Sequence, residues 1–259
     1  MTYPFPDVDG HIPAATVVIF RNDPAGGAPE LLMVQRAKQM RFAGGAAVFP
    51  GGKVDPEDAE LARSLDASAD IELLTARIAG IRETLEETGL AIGLAAPVSA
   101  GEAAEARARL LELGALAPVL EQFGWQLAPD LLVPFARWCP QVSGTFDTRF
   151  FLADLGTGSV EIAVDATENT RLFWASAAGA IQLSEAGEIS VIFPTRRNLD
   201  RLALFGSFAE AQAQCAAIPV VTVSPKMEVR DGEKWLLIPD YAARGYPVEG
   251  EPMASAKRG

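Results

Sequence analysis

Residues 14–20 (AATVVIF) are almost wholly apolar, the pattern of a buried strand. A Gly/Pro-rich turn, RNDPAGGAP, separates them from ELLMVQR at 30–36, a second strand, and a hairpin is the simplest connection. A basic, glycine-containing loop, AKQMRFAGGAA, follows, and then a short apolar stretch ending in Phe49-Pro50-Gly51-Gly52. Helical spacing begins at 56–67, with Pro56 suited to a first turn. It is clearest at 72–89, which Gly89 closes at a plausible C′ position. An alanine-rich segment, 101–123, predicts further helix. Strand patterns follow at 131–138, 147–155 and 168–175, helices at 176–184 and 194–214, and late strands at 219–224 and 234–239. The tail beyond Tyr241 is rich in Pro, Gly and Ala and is expected to be loosely held. Hairpins mixed with helices, without internal repeat, predict an α+β, sandwich-like fold.

Composition narrows what such a fold can do. The 259 residues are 49% hydrophobic, ample for a large core. The formal net charge of −12 disfavours non-specific binding to duplex nucleic acid or anionic membrane, so neither is expected as a partner. A polyanionic substrate would therefore need a site that is locally basic or carries metal. The two cysteines, Cys139 and Cys215, stand in no metal-ligand spacing and suit a reducing cytosol. His11, the single histidine, lies in a segment expected to fray and be solvated, which argues against histidine triads and histidine-rich zinc sites. The opening MTYPFPDVDGHIP has no basic n-region or apolar h-region, and no apolar run has the length of a membrane span. A cytoplasmic location is the expectation.

The chemistry concentrates in LTARIAGIRETLEETGL, residues 74–90. At about 100° per residue, Leu74, Ile78, Ile81 and Leu85 form one stripe, and Glu83, Glu86 and Glu87 gather roughly opposite. Alone, this would be a solvated acidic face. Its context suggests more. Clustered carboxylates repel one another, and hard cations such as Mg²⁺ or Mn²⁺ take oxygen ligands of this kind. Upstream, Gly51-Gly52 allows close backbone approach to such a cluster.

These residues resemble the Nudix box, G-x5-E-x7-R-E-U-x-E-E-x-G-U, where U is a bulky aliphatic. Gly52 and Asp58 stand at its first two fixed positions, and Arg82-Glu83-Thr84-Leu85-Glu86-Glu87-Thr88-Gly89-Leu90 forms its second half. Thr84 replaces the usual aliphatic, Asp58 replaces glutamate, and about sixteen additional residues separate Asp58 from Arg82, an insertion tolerable as a surface excursion. The resemblance implies a single Nudix-type α/β/α sandwich with a mixed sheet. It would carry insertions at about 59–74 and 101–125 and a C-terminal extension from about 215. It implies a Mg²⁺- or Mn²⁺-dependent diphosphatase. Glu83, Glu86 and Glu87 would be metal ligands, with a backbone carbonyl from Gly52 (or Gly51) near the metal. Arg82 would orient a catalytic glutamate, and the base would come from Glu83, Glu86 or a later acid. Glu168 is the candidate for that acid, with Glu161 and Asp165 as competitors.

Upstream of the box, Arg36-Ala37-x3-Arg41-x3-Gly45-x3-Phe49-Pro50-Gly51-Gly52 resembles the signature of Nudix hydrolases acting on coenzyme A, although one residue too many separates Leu32 from Arg36. RWCPQVSGTFDTRFFLADL and FPTRRNLDRLA extend the resemblance toward animal peroxisomal-type acyl-CoA diphosphatases. The implied partner is a small nucleotide substrate of the CoA type, with Arg36, Lys38, Arg41 and Gly51 around its phosphates and Arg149, Arg196 and Arg197 as secondary candidates. The family often forms homodimers. The alternatives are another Nudix substrate (ADP-ribose, NADH or a dinucleoside polyphosphate) and a non-catalytic domain that binds a nucleotide and regulates a partner.

Overall fold

A computed structural model describes residues 10–37, 43–66, 68, 70–155 and 169–256, the backbone alone at 169 and 170. Its centre is β1 (Ile12–Arg21), buried along most of its length. β2 (Glu30–Arg36) returns antiparallel through Phe20–Leu31 and Arg21–Glu30 pairs, as a hairpin should. The very short β3 (Ala47–Val48) and β4 (Gly51–Lys53) pair with β2 and β1. β5 (Val133–Trp138) lies antiparallel to β6 (Phe146–Asp154), and β6 runs parallel to β1 from Ile12–Phe146 to Phe20–Asp154. β7 (Asn169–Ser176) covers the other side of β2, and β8 (Thr222–Val223) closes the far edge on β5. The sheet is mixed, as expected.

Alternation along β1 divides two cores. Ala15, Val17 and Ile19 face α1 (Pro56–Leu65), α2 (Ile71–Thr88), α3 (Ala100–Leu113) and α4 (Leu116–Phe123). Val18 and Phe20 face the opposite layer of α5 (Ala177–Glu185), α6 (Phe193–Leu202) and α7 (Phe208–Ala217). The result is the expected α/β/α sandwich. Leu74, Ile78, Ile81 and Leu85 are all buried on the sheet side of α2. Each contributes about 1.5–3 kcal/mol before ordering costs, which fixes the helix's rotation and so aims its polar face.

Several elements differ from their patterns. The predicted helix at 101–123 breaks at Gly114, whose φ of 67° ends α3, and the one at 194–214 breaks between Leu202 and Phe208. Between Asp58 and Arg82 the described residues include the rest of α1, largely exposed, and the first turns of α2, which pack together as a helix pair. The described part of the tail, to Ala256, is held, not loose. β9 (Lys226–Arg230), β10 (Glu233–Leu237) and β11 (Gly250–Pro252) form a separate three-stranded sheet, α8 (Met253–Ala256) follows, and buried Tyr246 bonds Asn198 on α6 at 3.1 Å. His11 is not frayed either, because its Nε2 lies 2.8 Å from the Pro140 carbonyl. Cys139 and Cys215 form no disulfide with each other. Among the described residues no helix is long and apolar enough to cross a membrane.

Candidate active site

Arg82 organises the polar face of α2. It is 2% exposed, yet its guanidinium is surrounded by acids. Nε lies 3.0 Å from Asp58 Oδ1, and Nη2 donates to Asp58 Oδ2 at 2.9 Å and to the Lys53 carbonyl at 2.8 Å. Nη1 is shared by Glu83 Oε1 at 3.0 Å and Glu86 Oε2 at 3.2 Å. Asp55 completes the ring at 3.2 Å from Nη2. Burial alone would make this guanidinium easier to deprotonate, but the Asp58 bond and the charges of Glu83, Asp58 and Glu86 outweigh it and raise its pKa. Asp58, also 2% exposed, accepts the Asp55 amide at 2.9 Å besides the arginine. The helix pair thus returns Asp58 to Arg82 across the long sequence gap.

Two glycines set the facing edge. The Gly51 amide donates to Glu87 Oε2 at 2.9 Å. A Cβ at Gly51, whose φ is 150°, would stand 2.2 Å from the Ala15 carbonyl oxygen. A Cβ at Gly52 would stand 2.4–2.5 Å from the carboxyl atoms of Glu83. Both positions lie where β4 pairs with Ala15 and Thr16 of β1; at Gly51 the obstacle is backbone, so glycine is required, while at Gly52 it is the Glu83 carboxyl alone. Thr84, where the motif has an aliphatic, is fully buried, and its hydroxyl donates to the Gly80 carbonyl at 2.7 Å. That internal bond makes a polar side chain tolerable in an apolar position.

The acids open onto a cleft of about 620 Å³, within the usual size of a small-ligand site. Of the expected residues, Arg36, Gly51, Gly52, Arg82, Glu83, Glu86 and Glu87 all line it. Arg36 Nε is buried and has no hydrogen-bond partner among the described residues, leaving a donor to spare. Lys38, Arg41 and Glu168, with its competitors Glu161 and Asp165, lie outside the described residues. Arg149 is not in the cleft and reaches Glu72 at 2.8 Å; Arg196 and Arg197 sit on α6 and pair with Asp200. The motif reading missed Lys53, Asp55, Thr16, Phe146 and Thr148, and it did not bring α3 to the cleft. Lys53 and Asp55 were accessible as neighbours of Gly52 and as a helix N-cap before Pro56. The β6 residues arrive through the parallel β1–β6 register, which no local pattern announces.

Electrostatically the cleft is short of positive charge. Burial pushes the Glu83 carboxyl up to about 8; Arg82 pulls it back, and the charges of Glu87 and Glu86 push it further up. Burial also raises Glu86, with Arg82 opposing. Among the described residues no three acidic, histidine or cysteine side chains close on one point as a ready-made metal cage. The donor chemistry nevertheless suits a hard divalent cation. The acidic side chains offer carboxylate oxygens, the second oxygen of Glu83 and Glu86 lies outside the Arg82 bond, and the absence of a side chain at Gly52 lets the Glu83 carboxyl pack against the backbone there.

No family model matches the chain, and no curated protein matches it. Solved structures do. A Nudix hydrolase from Alicyclobacillus acidocaldarius is 29% identical, covering 78% of this chain and 96% of its own, with a TM-score of 0.65. A Nudix hydrolase from M. smegmatis is 17% identical over 82% of this chain and 90% of its own, at a TM-score of 0.41. A MutT Nudix hydrolase from Burkholderia pseudomallei is 17% identical over 74% and 97%, at 0.40. The first of these shares the mixed sheet between helical layers.

Proposed function

We infer that this chain is a Nudix hydrolase that cleaves a phosphoanhydride in a nucleotide-containing substrate, with coenzyme A and acyl-CoA the preferred class. One observation carries the hydrolase reading: Glu83, Glu86 and Glu87 line a single cleft with Gly51 and Gly52, the first two held by buried Arg82 and the third by the Gly51 amide. The CoA preference rests on the signature that begins at Arg36, together with the unpartnered Arg36 donor in the same cleft.

Glu83, Glu86 and Glu87 would hold Mg²⁺ or Mn²⁺, with a backbone carbonyl of the Gly51-Gly52 turn beside it. When bound, the metal supplies charge neutralisation for the diphosphate and acidification of a coordinated water. The chain's own groups do the rest. Arg36 forks onto a phosphate and fixes its orientation. Arg82 keeps Glu83 and Glu86 in one conformation, so they meet the substrate without reorganising. A carboxylate of the cluster, or Glu168, takes the proton from the attacking water. For CoA substrates the products are 3′,5′-ADP and (acyl-)4′-phosphopantetheine.

The test is incubation with CoA, short- and long-chain acyl-CoA, ADP-ribose and NADH, with Mg²⁺ or Mn²⁺ and with chelator, and products identified by mass spectrometry. Metal-dependent 3′,5′-ADP that disappears in Glu87→Gln is the expected result. Turnover of ADP-ribose or NADH alone would overturn the CoA assignment and keep the hydrolase. Ligand binding without turnover of any substrate would favour a regulatory domain.

A further inference from the structure

The cleft has two unlike walls. The carboxylates and the glycine turn form one, and the inserted helix α3 forms the other through Leu110, Leu111 and Gly114. With Arg107 these residues fall at i, i+3, i+4 and i+7, a single helical stripe. Its polar end is fixed at the acids: Arg107 Nε donates to the Glu86 carbonyl at 2.8 Å, so the helix is tied to the last turn of α2. Its other end is apolar and open. Leu110 is fully buried beneath it, Leu111 is 55% exposed, and a Cβ built on Gly114 would meet nothing within 4 Å. Carboxylates suited to a cation, then leucine, then open space at Gly114 complement a ligand that is a diphosphate at one end and aliphatic along the other.

We propose that the Leu110–Leu111–Gly114 end of α3 is the subsite for an apolar arm attached to the diphosphate, and that α3 selects acylated substrates over compact dinucleotides. The proposal rests on the CoA reading above. A scattered surface leucine needs no explanation, but Leu111 lines the same cleft as the carboxylates. Chain length is then read by contact with Leu111 and by the room at Gly114. Gly114 has a φ of 67°, a conformation that asparagine tolerates, so Gly114→Asn can fill that room with little backbone strain.

The experiment measures kcat/KM for CoA and for acetyl-, octanoyl- and palmitoyl-CoA, with ADP-ribose as the armless reference. The proteins are wild type, Leu111→Asp, Gly114→Asn and, as a surface control far along the chain, Leu204→Asp, which replaces another leucine that is 55% exposed. The wild type should favour the longer chains. Leu111→Asp and Gly114→Asn should each lower the octanoyl-to-acetyl ratio by about tenfold, the order expected when contact with one or two methylenes is lost, and Leu204→Asp should keep the ratio. CoA turnover with the ratio unchanged in both α3 variants would overturn the subsite alone. Turnover confined to ADP-ribose would overturn the CoA reading and the subsite with it.

Discussion

Two arginine-centred networks are buried in this molecule, and they differ in charge balance and in what they face. On α2, Arg82 is, among the described residues, the one cation bonded among Asp55, Asp58, Glu83 and Glu86, and the excess negative charge opens onto a cleft. On α6, Arg196 pairs with Glu185 and Asp200, Arg197 pairs with Asp200 and Glu251, and Arg201 donates to Gln214 and to the Phe135 carbonyl. There three cations match three acids, and the network joins α6 to β5, α7 and the C-terminal strand. Burial lowers the Arg197 pKa although Asp200 and Glu251 raise it, whereas the acids around Arg82 overcome its burial. A balanced buried network facing the chain supports the fold. An unbalanced one facing a cleft leaves negative charge that a bound cation would relieve.

The contrast breaks first under substitution of each arginine. Arg82→Met leaves Asp58 buried without its partner and should cost about 3–5 kcal/mol in denaturant unfolding, with turnover lost even in the folded fraction. Arg197→Met should cost about 1.5–3 kcal/mol, the scale of a hydrogen bond to a charged group, because Asp200 keeps Arg196 at 3.2 Å. Its kcat per folded molecule should match wild type. Loss of activity from Arg197→Met without loss of stability would place α6 in the site and sink the distinction.

The second substitution sharpens the account of the glycines. Gly52→Ala puts its Cβ against the carboxyl of Glu83, the movable end of a side chain. Stability should change by less than about 1 kcal/mol, since the carboxylate can swing aside. Turnover should fall about a hundredfold, the cost of misplacing a reacting group by an ångström. Gly51→Ala meets the Ala15 carbonyl and the Thr16 Cα instead, backbone that cannot move aside, and should lose stability as well as activity. Equal stability losses in unfolding curves of the two variants would refute this division.

The legible parts of the chain are those that local pattern dictates. The apolar stripe of α2 specified both the buried face and the opposite placement of Glu83, Glu86 and Glu87, and the motif joined them to Gly51-Gly52 across β4. Period and punctuation also located most strands. What depended on long-range pairing was not legible. FPTRRNLDRLA offered Arg196 and Arg197 as phosphate ligands because a sequence shows charge but not its partners; Glu251, more than fifty residues later, takes one of them. The tail looked loose because Pro and Gly raise local freedom, while β10 and Asn198 hold it by contacts far away in sequence. The helix pair that restores Asp58 to Arg82 was hidden for the same reason: the spacing counts residues, and folding removed the distance.

The smallest expected effect tests whether exposure, rather than the presence of an ion pair, decides what a charge contributes. Glu185 approaches Arg196 at 2.7 Å, shorter than any contact Arg82 makes with its acids, but its side chain is 60% exposed. Water already solvates that carboxylate, so pairing gains little and holding two long side chains together costs entropy. Glu185→Gln should shift the unfolding free energy by no more than about 0.5 kcal/mol and leave kcat unchanged, despite the short contact. A loss above about 1.5 kcal/mol would mean that the α6 network depends on its rim as much as on its buried members. Distance alone would then predict energy here, and the separation drawn between the two networks on burial and charge balance would fail at its simplest point.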